Sequence, residues 1–364
     1  MYIVQCFVML VFLLFGYSGI SYAKPSIVGT NSTTTLNLGT KGSGKTSPPY
    51  YPPLISGDWQ TIAPSTVNWD VNKLNDAATF ADANNSTALL VLYKGKILYE
   101  KYWDGWDAQT DARIYSVTKG MVDILIGIAQ RQGLLKITDR VSLYLGQGWT
   151  QTSSENEAKI TIENLMAMTS GLTSTLEYAA EPGQVWLYNS EAYYKLFDVI
   201  ERASGLTRVQ FTQSYLFDMI GMSESNYPEG NLSYRISASA RDMARFGLLI
   251  LRKGIWGQGS IVDQSYLSLS LSSSQNLNPS FGYLWWLNGK EFFLHPDDGR
   301  TVMGSLFPHG PSDTVAALGY GDKLIIVIPS KDLVIVRHGE PAGLNTAGSW
   351  FGDTLLQKVL SAAP

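Results

Sequence analysis

Ser116-Val-Thr-Lys119-Gly-Met-Val-Asp-Ile-Leu-Ile-Gly-Ile-Ala-Gln-Arg-Gln132, closed by Gly133, decides how the rest of the chain is read. Val117 to Gln132 is apolar nearly all round, which predicts a helix buried on every side, with Gly133 as its C-terminal cap. Ser116 and Lys119 stand three apart at its start, on one face, so the ammonium can lie beside the hydroxyl. A serine hydroxyl is a weak nucleophile until a neighbouring base takes its proton, and desolvation can lower a lysine's pKa enough for it to serve. Taken alone, Ser116 reads first as an N-cap. The same four-residue pattern occurs at Ser21-Tyr-Ala-Lys24, where no apolar helix follows.

On either side the pattern alternates between helix and strand. Before the buried helix, Val67 to Ala83 suits a helix, while Ala88–Tyr93 and Lys96–Tyr102 around Gly95 suit a hairpin. After it, helices are expected at Thr161–Ser170, Ser190–Ala203, Thr207–Ile220 and Ser239–Arg252, the last opening on a capping box, Ser239-Ala-Arg-Asp242. Strand signals return at Phe281–Leu287, Thr314–Leu318, Leu324–Ile328 and Leu333–Arg337, and a helix over Trp350–Ala362 closes the chain. Helices interrupting an antiparallel sheet make an α+β arrangement with a groove where the two parts meet.

Composition narrows the function. Among 364 residues, 27 basic and 31 acidic side chains leave a net charge of −4, without the basic excess of a nucleic-acid binder. The 13 Phe, 10 Trp and 20 Tyr supply area for a large core. A single cysteine, Cys6, rules out an internal disulfide and a Cys-rich zinc site. It falls in an uncharged apolar run, Cys6 to Phe15, followed by Ser21-Tyr22-Ala23, which predicts a secretory signal over 1–23 and a periplasmic or secreted protein. The run is too short to span a membrane. Residues 24–65, rich in Ser, Thr, Gly and Pro, are expected to be a spacer, with the main domain over 66–364. Gly39-Thr-Lys-Gly-Ser-Gly-Lys-Thr46 matches a phosphate-binding loop by letter, but Pro48 and Pro49 forbid the helix that such a loop requires.

Further on, Pro182-Gly183 leads through an extended piece to Tyr188-Asn-Ser190 at the start of a predicted helix. Alone, Tyr188 reads as core; beside a lysine, a phenol's pKa can fall, which suits general-base work. Together with Ser116-Val-Thr-Lys119, Met168-Thr-Ser-Gly-Leu172, Ser239–Gly247, Gly282-Tyr-Leu-Trp-Trp286 and Ile328–Val336, these landmarks resemble the serine β-lactamase-like family. The resemblance is to its class C, D-alanyl-D-alanine carboxypeptidase, esterase and 6-aminohexanoate-dimer hydrolase branch. It covers about residues 66 to 362.

That resemblance implies an antiparallel sheet flanked by terminal helices, with an all-helical part inserted at about 117–252. It implies acyl transfer: Ser116 attacks an ester or amide carbonyl, Lys119 and Tyr188 shuttle its proton, and water releases the acyl-enzyme. The oxyanion would be held by the N–H of Ser116 and one from the strand near Thr314 to Ala317. Substrate contacts fall on Ser190, Thr314, Gly319 and Tyr320. No cofactor or metal is expected, and the partner is a small ester or amide, cell-wall material included.

Two departures separate the chain from the pattern. Ser190 stands where the family's Y-x-N element ends in Asn. No K-[ST]-G tripeptide occurs near the expected strand, and Asp313 or Asp322 would there repel a substrate carboxylate, which argues against antibiotic hydrolysis. Two rival readings are a slowly acylating cell-wall sensor and a true β-lactamase. His309 is a pocket-lining or a loop histidine, and Trp285-Trp286 are sheet core or groove wall.

Overall fold

The apolar strands near the C-terminus read as buried on both faces, and they occupy the middle of the sheet. The computed structural model describes residues 48–55, 59–342 and 350–364. The predicted signal, Cys6, the phosphate-loop look-alike and the spacer up to residue 47 lie outside the described residues. Strands β1 (Ser86–Tyr93), β2 (Lys96–Tyr102), β3 (Trp286–Leu287), β4 (Val315–Gly319), β5 (Lys323–Ile328) and β6 (Leu333–Gly339) form one sheet in the order β2-β1-β6-β5-β4-β3. Every neighbouring pair is antiparallel. All residues of β5 and β6 are buried, because helices cover both faces.

Those helices are α1 (Val71–Asp82), α4 (Ala240–Leu251) and α5 (Trp350–Ser361); α2 (Thr118–Arg131) and α3 (Ser190–Ser204) belong to the inserted part. A Cβ on Gly247 of α4 would stand 2.6 Å from Val334 and 2.9 Å from Ile325, so α4 lies directly on the sheet. Arg337, of opposite parity to Val334 on β6, reaches the far face, where its guanidinium lies 4.9 Å from the Phe351 ring of α5. There Phe80 of α1 stacks on Phe351 at 5.5 Å. Among the described residues no helix is long and apolar enough to cross a membrane.

Several expectations shift. The helix expected over 67–83 begins at Val71, where Asp70 caps it through Asn72 and Lys73 N–H, behind a 3-10 turn at Pro64–Val67. Thr207–Ile220 is three pieces, with a π-turn at Gln213–Phe217 between Arg208–Thr212 and Asp218–Ile220. The wide turn brings Phe211 and Leu216, five apart, both into the core. The strand expected over 281–287 shrinks to Trp286–Leu287, because Leu284 takes a φ of 64° and turns the chain. The box at Ser239 is half formed: its Oγ accepts from Asp242 N–H, but the Asp242 carboxylate accepts from Glu224 N–H and Ser225 Oγ instead. The described part of the predicted spacer is no spacer. Trp59 is buried and donates to Gly95 O, Ile62 N–H donates to Ile97 O, and Tyr51 packs on Trp256.

Candidate active site

Ser116 sits in a 3-10 turn, Tyr115–Val117, that feeds α2, and Val117 rather than Ser116 is the residue before the helix. Neither the turn nor the helix has a side-chain cap, so the N-cap role does not hold and the Ser116 hydroxyl is free for other bonds. The turn is held from outside. Ile114 N–H donates to Ile236 O, Ile236 N–H to Thr118 Oγ1, and Tyr115 is kept at a φ of 49°. A non-glycine residue in that region is strained, and such strain persists only where neighbours enforce it.

One turn on, Lys119 is buried and donates to Ser116 Oγ at 3.1 Å and to Ser190 Oγ at 3.2 Å. Its ammonium also lies 4.7 Å from the centre of the Tyr188 ring and 4.6 Å from that of Tyr193. Burial, and then the positive charge of Arg235, push its pKa down to about 7. A substantial neutral fraction near neutrality makes Lys119 competent to take the Ser116 proton.

Tyr188 and Ser190 reach Lys119 from a different element. Between them Asn189 is buried; its Oδ1 caps α3 through Ala192 N–H, and its Nδ2 donates to Leu172 O and Thr173 O. One residue therefore ties the helix start to the Met168–Leu172 segment and aims its two neighbours inward. The Tyr188 ring stacks 6.1 Å from Trp286, with Phe281 at its edge. Its pKa is pushed up to about 12 by burial, opposed by a hydrogen bond with Ser116. The direction is opposite to the lowering expected beside a lysine: burial within the aromatic wall disfavours a phenolate. Of the two groups, Lys119 has the pKa nearer neutrality.

On the opposite wall, β4 ends at Gly319. A Cβ there would stand 2.4 Å from Ile114 O and 3.2 Å from Val117 N, so only glycine lets the strand end lie against the nucleophile turn. Tyr320 follows, half exposed, its ring 5.3 Å from that of Tyr115. Thr314 does not join them. It lies five residues away, about 17 Å along an extended strand, at the other end of β4, so the Thr314 end of the stretch expected to supply a strand donor is remote from the Ser116 turn.

Other expected contacts are also elsewhere. Asp313 accepts from Ser330 N–H and Oγ beyond the Thr314 end of β4, so the repulsion expected from it has no geometric support, while Asp322 accepts from Ala342 N–H in the β4–β5 turn, next to Gly319 and Tyr320. His309 is tied to Asp353 of α5 at 2.6 Å. His338 is buried, its Nε2 against Ala238 O, and its pKa is pushed down to about 3 by burial. Sequence inspection missed Tyr193, Asn189 and Arg235. The first stands one helical turn past Ser190, a spacing that could have revealed it.

The beta-lactamase family model matches residues 76–338, more than half of the chain. An uncharacterized protein of Alkalihalophilus pseudofirmus is 22% identical, over 76% of this chain and 92% of its own. A provisionally assigned 6-aminohexanoate-dimer hydrolase from Bacillus anthracis superposes with a TM-score of 0.66 at 18% identity, over 85% of this chain and 88% of its own. A family VIII carboxylesterase gives 0.62 at 15%, over 80% and 97%. At such identities the structural matches show the fold, and the family match supplies the rest: the chain belongs to the beta-lactamase family of serine hydrolases.

Proposed function

We propose that the protein is an exported hydrolase that cleaves an ester or amide through an acyl-enzyme on Ser116. The observation that carries this is the 3.1 Å contact between Ser116 Oγ and a buried lysine whose pKa lies near 7. Neutral Lys119 takes the hydroxyl proton as Oγ bonds to the carbonyl carbon. The oxyanion is stabilised by the N–H of Ser116 and one from the Gly319 end of β4. As the carbon–leaving-group bond breaks, the proton passes from Lys119 through the neutral Tyr188 phenol to the departing oxygen or nitrogen. Water then repeats the attack, and the acid leaves with Ser116 restored. Ser190 and Tyr193 hold the lysine in place.

The missing strand lysine, rather than repulsion by Asp313, weighs against β-lactams. Ser116→Ala should lower p-nitrophenyl ester hydrolysis by at least about 10³-fold and abolish labelling by a fluorophosphonate probe. Undiminished turnover in that variant would refute the assignment. Intact mass of the wild-type protein after ester addition should show no lasting adduct, as a slow sensor would, and a chromogenic cephalosporin should not be cleaved rapidly. Export predicts a secreted product whose N-terminus is Lys24.

A further inference from the structure

At the far end of β4, where Thr314 lies, a second cavity opens. It encloses about 350 Å³ between the end of α4, the helix Gln264–Ser270 and strands β3 and β4. That volume is in the range of small-molecule sites. None of Ser116, Lys119, Tyr188, Ser190, Gly319 or Tyr320 lines it. Its walls are largely aliphatic, with Leu251, Leu267, Leu287 and Val315 among them. Thr314 lines it, 1% exposed, and its Oγ1 has no hydrogen-bond partner among the described residues. A buried hydroxyl left unpaired is costly, and an acceptor brought by a ligand would satisfy it. Lys253, exposed, and Lys290, half-buried, also line the cavity, and among the described residues neither makes a side-chain ion pair or hydrogen bond. The one carboxylate there, Asp313, is engaged by Ser330.

We infer that this cavity is a binding site for a small amphiphilic carboxylate, its apolar chain against Leu267 and Leu287 and its head taken by Lys253, Lys290 and the Thr314 hydroxyl. The combination is selective: aliphatic walls alone would accept any apolar molecule, and lysines alone any anion. The site also connects to α2. The helix that contributes Leu267 carries Tyr266 and Ser270, both bonded to Asp123 of α2, one turn beyond Lys119.

Binding is measured on the full-length Ser116→Ala protein, which lacks the proposed nucleophile whether or not that assignment holds, so the outcome does not depend on the proposed activity. Decanoate, titrated by calorimetry, should bind saturably with one site and a Kd on the order of 1 mM or tighter. Decanol should bind at least about tenfold more weakly, and Lys253→Ala/Lys290→Ala should weaken decanoate by a similar factor. Leu267→Trp, which fills the cavity, should abolish binding, and Thr314→Val should weaken it by a few-fold. Absence of saturable decanoate binding, equal binding of decanol, or binding unaffected by the double lysine variant would overturn the inference. The lysines supply head-group charge and not core packing, so the double variant remains decisive even if the tryptophan variant fails to fold.

Discussion

A lysine that takes a proton from serine must be neutral for part of the time, and Lys119 is made so by where it is put. Burial lowers its pKa first, and the exposed guanidinium of Arg235 adds to the effect. With neutral Lys119 as the proposed base, kcat/KM for an ester should climb as pH rises through about 7 and level off above it. Arg235→Gln removes the repelling charge, so the Lys119 pKa rises and the acidic limb moves to higher pH. Hydrolysis should fall several-fold at about pH 6 and change little at about pH 9. A uniform loss at all pH values would show that Arg235 acts otherwise. Ser116 and Lys119 were legible in the sequence because their three-residue spacing opens a long apolar helix and stands among the other landmarks of the resemblance. The Tyr188 pKa was not, since its direction depends on Trp286 and Phe281, about a hundred residues away, closing around the phenol.

At the scale of the element, α2 is more than a support for the two reactive groups. Asp123 is buried in its middle and accepts from Tyr266 OH, Ser270 Oγ and Trp285 Nε1. Gly120 lets Trp285 come so close that a Cβ would stand 2.9 Å from its ring. Gly120→Ala should therefore push α2 away, costing about 1–3 kcal/mol and lowering kcat with little change in KM. Chemical denaturation and steady-state kinetics would check both. Burial raises the Asp123 pKa to about 7, against about 4 in an unfolded chain. The native state thus holds a proton that the unfolded state has lost. The resulting stability is full below about pH 4 and is lost as pH rises through about 7. Asp123→Asn should flatten that part of the stability–pH curve, whereas an unaltered slope would place the titration elsewhere. The sequence showed a carboxylate in an apolar helix, but its three partners come from two distant segments.

Across the whole molecule, Arg337 joins parts that the chain keeps far apart. It is fully buried on β6, donates through Nε to Ser86 Oγ and through Nη2 to Asn84 O and Glu340 O, and bonds Gly321 O. Gly321 lies in the turn just after Gly319 and Tyr320, so the central strand pins the wall of the active site. Arg337→Met should destabilise the fold by about 3–5 kcal/mol, because four carbonyl or hydroxyl acceptors lose their donor. Arg337→Lys should recover only part, since one ammonium cannot span that set; full recovery would contradict this role. The sheet, the buried helix and the Ser-Lys pair were determined by the sequence itself, because apolar periodicity and short spacing act locally. Tertiary structure alone decided that Gly319, not Thr314, meets the Ser116 turn, that Asp313 is engaged by Ser330, and that residues 59–62 pack on the hairpin. Each of those depends on which end of a strand or loop meets a distant partner, and no local preference encodes that choice.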